Sequence, residues 1–176
     1  SKKFIDRLFL DNKGAWQYLG DHLDGSARLQ LKTYDIDPTR DVKVIYTHGK
    51  VRISAISVHH GPIPAVAYRV DIGKKSITFS GDMSGSYKTL EKLAKNTDIF
   101  LAHNAVPKGT KGTARELHMT PDEIGHIALI SRAKKVVLSH RMLRTIGREH
   151  ETKKEIRKHF KGVVTFANDK SRYSVK

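Results

Sequence analysis

Three side chains of metal-ligand type stand directly after short apolar runs that predict buried strands. These side chains are His60, Asp82 and His140. Strand ends converge in layered folds, so residues placed there can meet across a cleft although they are far apart in sequence. Imidazole and carboxylate groups suit zinc, manganese or iron(II). The pattern therefore predicts a divalent metal site, although each residue taken singly also fits a simpler role as a hydrogen-bonded histidine or a turn aspartate.

The composition limits how this chain could hold a metal. It has ten histidines and no cysteine, which excludes disulfides, zinc fingers, thiol nucleophiles and iron–sulfur ligation. No apolar run approaches the roughly 20 residues needed to span a bilayer, and no signal-peptide core follows Ser1. We expect a soluble protein, with the cytoplasm favoured and the periplasm open if a signal peptide lies upstream.

Positive charge is the other marked feature of the composition. The chain has 33 Lys and Arg against 18 Asp and Glu, which gives a formal net charge of +15. Such a charge would attract anionic substrates such as phosphodiesters, and it makes nucleic acid a possible partner. The cations are spread along the sequence without a dense basic block, which equally fits a well-solvated surface.

The elements that must position these residues follow from hydrophobic periodicity and turn residues. Strands are predicted over 28–34, 42–46, 51–58, 66–72, 76–79, 99–102, 136–138 and 163–167, and helices over 15–23, 87–95, 120–132 and 151–160. Thr120, Pro121 and Glu123 form a strong helix start, because Thr and Glu at this spacing cap each other's backbone groups. Residues 108–115 predict a mobile loop that lacks the spacing of a phosphate loop. The pattern predicts one α/β domain over 1–176.

Five stretches in a fixed order carry a resemblance to a known family. They are His60-Gly61-Pro62-Ile63-Pro64-Ala65-Val66-Ala67-Tyr68-Arg69, Ser80-Gly81-Asp82, Ala102-His103-Asn104-Ala105, Leu117-His118-Met119-Thr120 and Leu138-Ser139-His140. Over residues 51–144 the chain resembles the metallo-β-lactamase superfamily, and within it the branch of ribonuclease Z, arylsulfatase-like and phosphodiesterase-like enzymes. The resemblance implies an αβ/βα sandwich, incomplete here and represented mainly by its C-terminal half.

The resemblance also implies roles for individual residues. His60 and His140 would be metal ligands, and Asp82 would bridge two divalent ions, with zinc favoured over manganese or iron, that share a hydroxide nucleophile. His118 would act as a general acid or stabilise the leaving oxygen. His103 would lie next to the ligands and support them without binding the metal itself. His59 has the same supporting role, because adjacent strand residues point to opposite faces and only one of the pair enters the site.

One part of the family pattern is missing from the sequence. The motif His-x-His-x-Asp-His, which supplies further ligands before the five stretches, does not occur. We interpret this as truncation, proteolysis or an N-terminal half outside this chain. Three ligands for two ions leave the coordination incomplete, so metal occupancy of the isolated chain is expected to be low.

The leading functional hypothesis is a metal-dependent hydrolase of an anionic ester, such as a phosphodiester or a related phosphate or sulfate ester. This chain would supply part of the site and be inactive alone. A missing N-terminal segment or a homo-oligomer would complete it.

Two alternatives stay open at this point. One is a ribonuclease Z-like tRNA 3′ endonuclease, although only residues 61–81 separate His60 from Asp82, where that group commonly carries a long tRNA-binding arm. The other is a non-catalytic binding module that has lost its first metal motif.

Overall fold

The computed structural model of the protein describes residues 2–10, 15–16, 34–37 and 39–175. The chain divides into two compact units, Ser1–Asp37 and Pro38–Lys176. In the first unit, helix α1 (Lys2–Ile5) continues into a π-helical turn at Asp6–Leu10. The predicted helix over 15–23 and strand over 28–34 lie almost entirely outside the described residues. In the part of the chain that is described, no helix has the length and apolarity needed to cross a bilayer.

The second unit is built on a seven-stranded sheet, which confirms the predicted mixed α/β class. Its strands lie side by side in sequence order. They are β1 (Lys43–His48), β2 (Val51–Val58), β3 (Ala65–Ile72), β4 (Lys75–Phe79), β5 (Ile99–His103), β6 (Lys135–Ser139) and β7 (Val163–Phe166). All seven correspond to predicted strands.

Strand direction divides the sheet into two parts. Strands β1 to β4 pair antiparallel through tight turns, whereas β4 to β7 pair parallel. As a result β2 and β4 to β7 all run in the same direction. We call the side of the sheet where these five strands finish its carboxyl end, and the side where they start its amino end.

Four α-helices in this unit connect or cover the strands. They are α2 (Leu90–Leu93), α3 (Thr113–Leu117), α4 (Pro121–Ile130) and α5 (Glu149–Ile156). The start of α4 is confirmed, since Thr120 and Glu123 form the predicted capping box with Pro121 following. The main apolar core lies between the sheet and these helices, where Ile56, Val58 and Phe100 of the strands pack with Leu90, Leu93, Ile124 and Ile156 of the helices.

Three local predictions were wrong in extent. The helix predicted over 87–95 is reduced to α2, because Lys88 adopts a left-handed backbone conformation (φ +52°) and separates α2 from a 3-10 turn at Gly85–Tyr87. The helix predicted over 151–160 is α5, which begins at Glu149 and ends at Ile156. The region predicted as the loop 108–115 runs into α3, which begins at Thr113.

The backbones of α4 and α5 approach each other closely at Gly125. A Cβ atom at this position would lie 2.5 Å from the carbonyl oxygen of Ile156 and 2.9 Å from its Cα. These neighbours are backbone atoms, so they cannot move aside as a flexible side chain could.

We expect Gly125→Ala to lower the free energy of unfolding by about 1–3 kcal/mol or more, because the added methyl group forces the two helices apart. Urea denaturation followed by circular dichroism measures this. Leu129→Ala, on the exposed side of the same helix, is the control and should change stability little. Equal stability of Gly125→Ala and the parent chain would contradict the close packing.

Asp98 fastens the amino end of the sheet. Its carboxylate accepts hydrogen bonds from the Ser76 amide (2.8 Å), the Ser76 hydroxyl (3.2 Å) and the Lys134 ammonium (2.7 Å). Burial alone would raise the pKa of this carboxyl, but the hydrogen bonds and the charge of Lys134 outweigh burial and place the pKa below its ordinary value of 3.8. Because the unfolded chain then binds the proton more readily, Asp98 stabilises the fold above that ordinary pKa and loses the effect as the pH falls below it.

Asp98→Asn should lower the free energy of unfolding by about 1–3 kcal/mol at pH 7, since buried donors lose a charged acceptor. The difference from the parent chain should shrink as the pH is lowered through about 4 and below. Urea denaturation at a series of pH values tests this. Asp41→Asn removes an ion pair in which Asp41 is 90% exposed and should have little effect at any pH. A pH-independent difference for Asp98→Asn would contradict the assignment.

Candidate metal centre

Strand direction brings the predicted site residues to one place. The carboxyl end of the sheet receives His60 after β2, Asp82 after β4, His103 at the end of β5 and His140 after β6. His118 arrives from the segment between α3 and α4. Four of these five residues thus converge because their strands share a direction, and the segment between α3 and α4 adds His118.

The side chain of His118 lies at the centre of this group. Its ring centroid is 5.6 Å from that of His60, 5.3 Å from that of His103 and 6.3 Å from that of His140. Nε2 of His140 lies 3.3 Å from Oδ2 of Asp82. We call these five residues the histidine cluster.

His59 contacts a different set of neighbours from His60. Its Nδ1 lies 2.7 Å from the hydroxyl of Ser84, and its ring stands edge-on to Tyr87 with 5.1 Å between the centroids. The two adjacent histidines therefore lie against different parts of the protein, and only the ring of His60 belongs to the cluster.

The loop that carries His118 is fastened by Glu123. One carboxylate oxygen of Glu123 accepts the backbone N–H of Thr120 at 2.9 Å, and the other accepts a guanidinium N–H of Arg115 at 2.6 Å. Arg115 also donates to the carbonyl of His118 at 3.3 Å. The capping box thus does more than start α4, because it fixes the residues on both sides of His118.

Two other contacts set the orientation of the ligand-type histidines. Nδ1 of His60 lies 2.9 Å from the carbonyl oxygen of Leu117, which accepts the ring N–H and leaves Nε2 as the acceptor nitrogen. The backbone of His140 is left-handed, with φ +48°. A non-glycine residue in this conformation is strained, and such strain concentrates at functional positions.

The two innermost histidines of the cluster are neutral near pH 7. His103 is 3% exposed, and burial lowers its pKa to about 4. The Met119 amide donates to Nε2 of His103 at 3.1 Å, so the ring proton resides on Nδ1. Burial also lowers the pKa of His118; the carboxylate of Asp82 opposes this effect. Neutral imidazoles of this kind can accept protons or bind metals.

The chemistry of the donors suits a metal, but their arrangement forms only part of a site. Among the residues that the structure describes, no three His, Asp or Glu side chains are placed to hold one metal ion. Asp82 contacts His140 directly, while His60 meets the cluster through His118. The assignment of His60, Asp82 and His140 as metal ligands therefore stays a prediction, as do the roles of His59, His103 and His118.

Two residues near the cluster were not singled out from the sequence. Arg144 donates to the carbonyl of Ala105 at 2.5 Å, and its positive charge contributes to the lowered pKa of His118. Asn104 is fully buried, and neither polar atom of its side chain has a hydrogen-bond partner in the described part of the chain. The position of Asn104 directly after His103 was a usable signal, whereas nothing in the sequence marked Arg144.

Comparison with known proteins places this geometry in context. A family model described as "Beta-lactamase superfamily domain" matches residues 10–141. No curated protein matches the chain.

Several solved structures have a similar fold. The metallo-β-lactamase fold protein YhfI from Bacillus subtilis is 25% identical, with a TM-score of 0.60, over 70% of this chain and 49% of its own. Human tRNase Z, short form, is 20% identical, with a TM-score of 0.59, over 78% of this chain and 47% of its own. Unliganded yeast PDE1 is 17% identical, with a TM-score of 0.59, over 94% of this chain and 55% of its own. The chain spans about half the length of these structures.

The strained backbone of His140 gives a stability test that is independent of any bound metal. Glycine adopts a positive φ without the steric cost that other residues incur. His140→Gly should therefore be more stable than His140→Ala by about 1 kcal/mol, although both lose the imidazole. Thermal and urea denaturation of the two variants measure the difference, and equal stability would show that His140 is not held in this conformation.

Proposed function

Because the chain belongs to the β-lactamase superfamily and has the metallo-β-lactamase fold, we propose that it supplies part of the active site of a metal-dependent hydrolase of anionic esters. The observation that carries the proposal is the histidine cluster, in which side chains from four strand ends surround His118. In this proposal the site is completed by ligands that this chain does not contribute.

Three residues are proposed as the metal ligands of this chain. His60 offers Nε2, because Leu117 occupies its other ring nitrogen, and this type of backbone contact is common for metal-bound histidine. Asp82 and His140 lie side by side with 3.3 Å between their polar atoms. Two divalent ions, with zinc favoured and manganese or iron possible, would supply Lewis acidity and lower the pKa of a water molecule.

His118 is proposed as the residue that assists the leaving group. It is 7% exposed, and its Nδ1 has no hydrogen-bond partner in the described part of the chain. A buried neutral imidazole with one free nitrogen can donate a hydrogen bond to a leaving oxygen, and it can donate a proton once it has itself been protonated. Glu123 and Arg115 would hold it in place, and His103 would support the cluster from the interior.

The second face of the sheet supports the proposal of an incomplete sandwich domain. Tyr46, Ile53, Val70, Ile77 and Ile99 lie in one row across the strands, on the face opposite to the helices. Tyr46, in β1, is 47% exposed, whereas Ile99, in β5, is 4% exposed, so the row is uncovered mainly at its β1 end. Sheets with two apolar faces are normally covered on both, so we propose that a second sheet of the complete protein packs here.

An anionic ester is the proposed substrate class. The net charge of +15 favours anions over long distances. Within the site, Arg144 places a cation near His118, where it could stabilise negative charge on a substrate oxygen. A phosphodiester or a related phosphate or sulfate ester fits these features.

A tRNA 3′ endonuclease is the second candidate. The fold likeness to human tRNase Z and the positive charge favour it. Against it, residues 61–81 are largely used in β3, β4 and their tight turns, which leaves no segment for a long arm at that point. We therefore rank it below a phosphodiesterase or a related esterase.

The proposal is tested with the complete protein loaded with zinc or manganese, using bis(4-nitrophenyl) phosphate as substrate. His118→Ala should lower kcat by about 10²–10⁴-fold with little change in metal content, which is the range for loss of general acid catalysis. Asp82→Asn should lower both metal content and kcat/KM.

The matched control is His126→Ala, which removes an exposed histidine on α4 outside the cluster and should leave turnover unchanged. Full activity of Asp82→Asn would refute the proposed site. Metal binding without turnover of any phosphate or sulfate ester would favour the non-catalytic binding module instead. Cleavage of precursor tRNA, weakened by salt, would favour the tRNA endonuclease.

A further inference from the structure

Lysines collect at the amino end of the sheet, away from the histidine cluster. Nearly every turn or segment that leads into a strand at this end carries one. These residues are Lys50 before β2, Lys74 and Lys75 before and at the start of β4, Lys95 before β5, Lys134 and Lys135 at β6 and Lys161 before β7. The strands bring them into one row, although they are spread over more than half of the sequence.

The carboxylates at this end of the sheet are too few to balance the positive charge of the lysines. Asp71 is paired with Arg69 at 2.9 Å, and Asp98 is paired with Lys134 at 2.7 Å. Both carboxylates are therefore already neutralised. Among the described residues, five exposed cations at this end have no carboxylate partner: Lys50, Arg52, Lys74, Lys75 and Lys95.

A groove of about 470 Å³ lies within this row. Its cationic lining consists of Lys50, Arg52, Arg69, Lys92 and Lys95, and among the described lining residues Asp71 is the single carboxylate. A second groove of about 370 Å³, lined in part by Asp98, Lys134 and Lys135, lies farther along the same end of the sheet. The positive surface therefore continues beyond the first groove.

The dimensions of this surface fit a linear polyanion. Neighbouring strands are about 4.8 Å apart, so the five steps from β2 to β7 span about 24 Å. Proteins that bind single strands use positively charged grooves that follow the backbone over about 4–16 nucleotides. A membrane is a poorer match, because proteins that lie on bilayers insert an apolar face, whereas Val42 and Leu93 are the only large apolar residues among the described residues that line the main groove.

We propose that the amino end of the sheet binds the phosphate backbone of a single-stranded nucleic acid. This site lies at the opposite end of the strands from the candidate metal centre. It does not depend on the proposed hydrolase function, since it uses none of the residues of the histidine cluster. The bound chain contacts Lys50, Arg52 and Lys95 through its phosphates, without base-specific readout.

The test is fluorescence anisotropy of a labelled 20-nucleotide single-stranded RNA titrated with the full chain at several salt concentrations. The variant with Lys50→Ala, Arg52→Ala and Lys95→Ala should bind on the order of tenfold more weakly or worse. The slope of log K against log salt should fall by about 2, because each lost phosphate contact in a single strand removes about 0.7.

The matched control carries Lys43→Ala, Lys154→Ala and Arg157→Ala, which remove the same charge from exposed positions outside the groove. It should bind RNA within about twofold of the parent chain, since it retains the phosphate contacts. Circular dichroism verifies that both variants are folded. Equal weakening of the two variants would attribute binding to net charge and overturn the site. Binding of phosphatidylserine vesicles without binding of RNA would overturn it in favour of a membrane surface.

Discussion

The shared direction of β2 and β4 to β7 determines where the ionisable side chains of this protein can lie. Parallel strands place all their carboxyl ends on one side of the sheet, and backbone hydrogen bonding fixes that arrangement rigidly. The residues that follow these strands are therefore gathered into the histidine cluster. The residues that precede them are gathered at the other end, where they are mostly lysines.

Burial and hydrogen bonding then set the chemical state of the cluster. His118 and His103 lie deep enough that charging them would be costly, so both stay neutral and retain free or backbone-bonded nitrogens. Their positions depend on groups outside the cluster, above all on Glu123, which joins the helix cap to the loop of His118. Local helix chemistry and the geometry of the site are therefore coupled through one carboxylate.

Prediction from sequence succeeded where the signal was local and failed where backbone geometry intervened. The seven strands and the start of α4 were predicted correctly, because alternation and capping are visible in short windows. The helix expected over 87–95 is shortened at Lys88, because the backbone there is left-handed and a lysine gives no indication of that conformation. Arg144 was missed for a related reason, since its approach to His118 depends on the path of a loop.

The sequence by itself determined the family, the succession of strands along the chain and the residue types available for chemistry, because each of these depends on local patterns in a fixed order. Only the tertiary structure decided which side chains meet. It placed His118 between His60 and His140, directed His59 toward Tyr87, and brought Lys50, Lys92 and Lys95 to one groove. The physical reason is that strand direction and register act between distant segments, and no window of sequence contains both partners of such a contact.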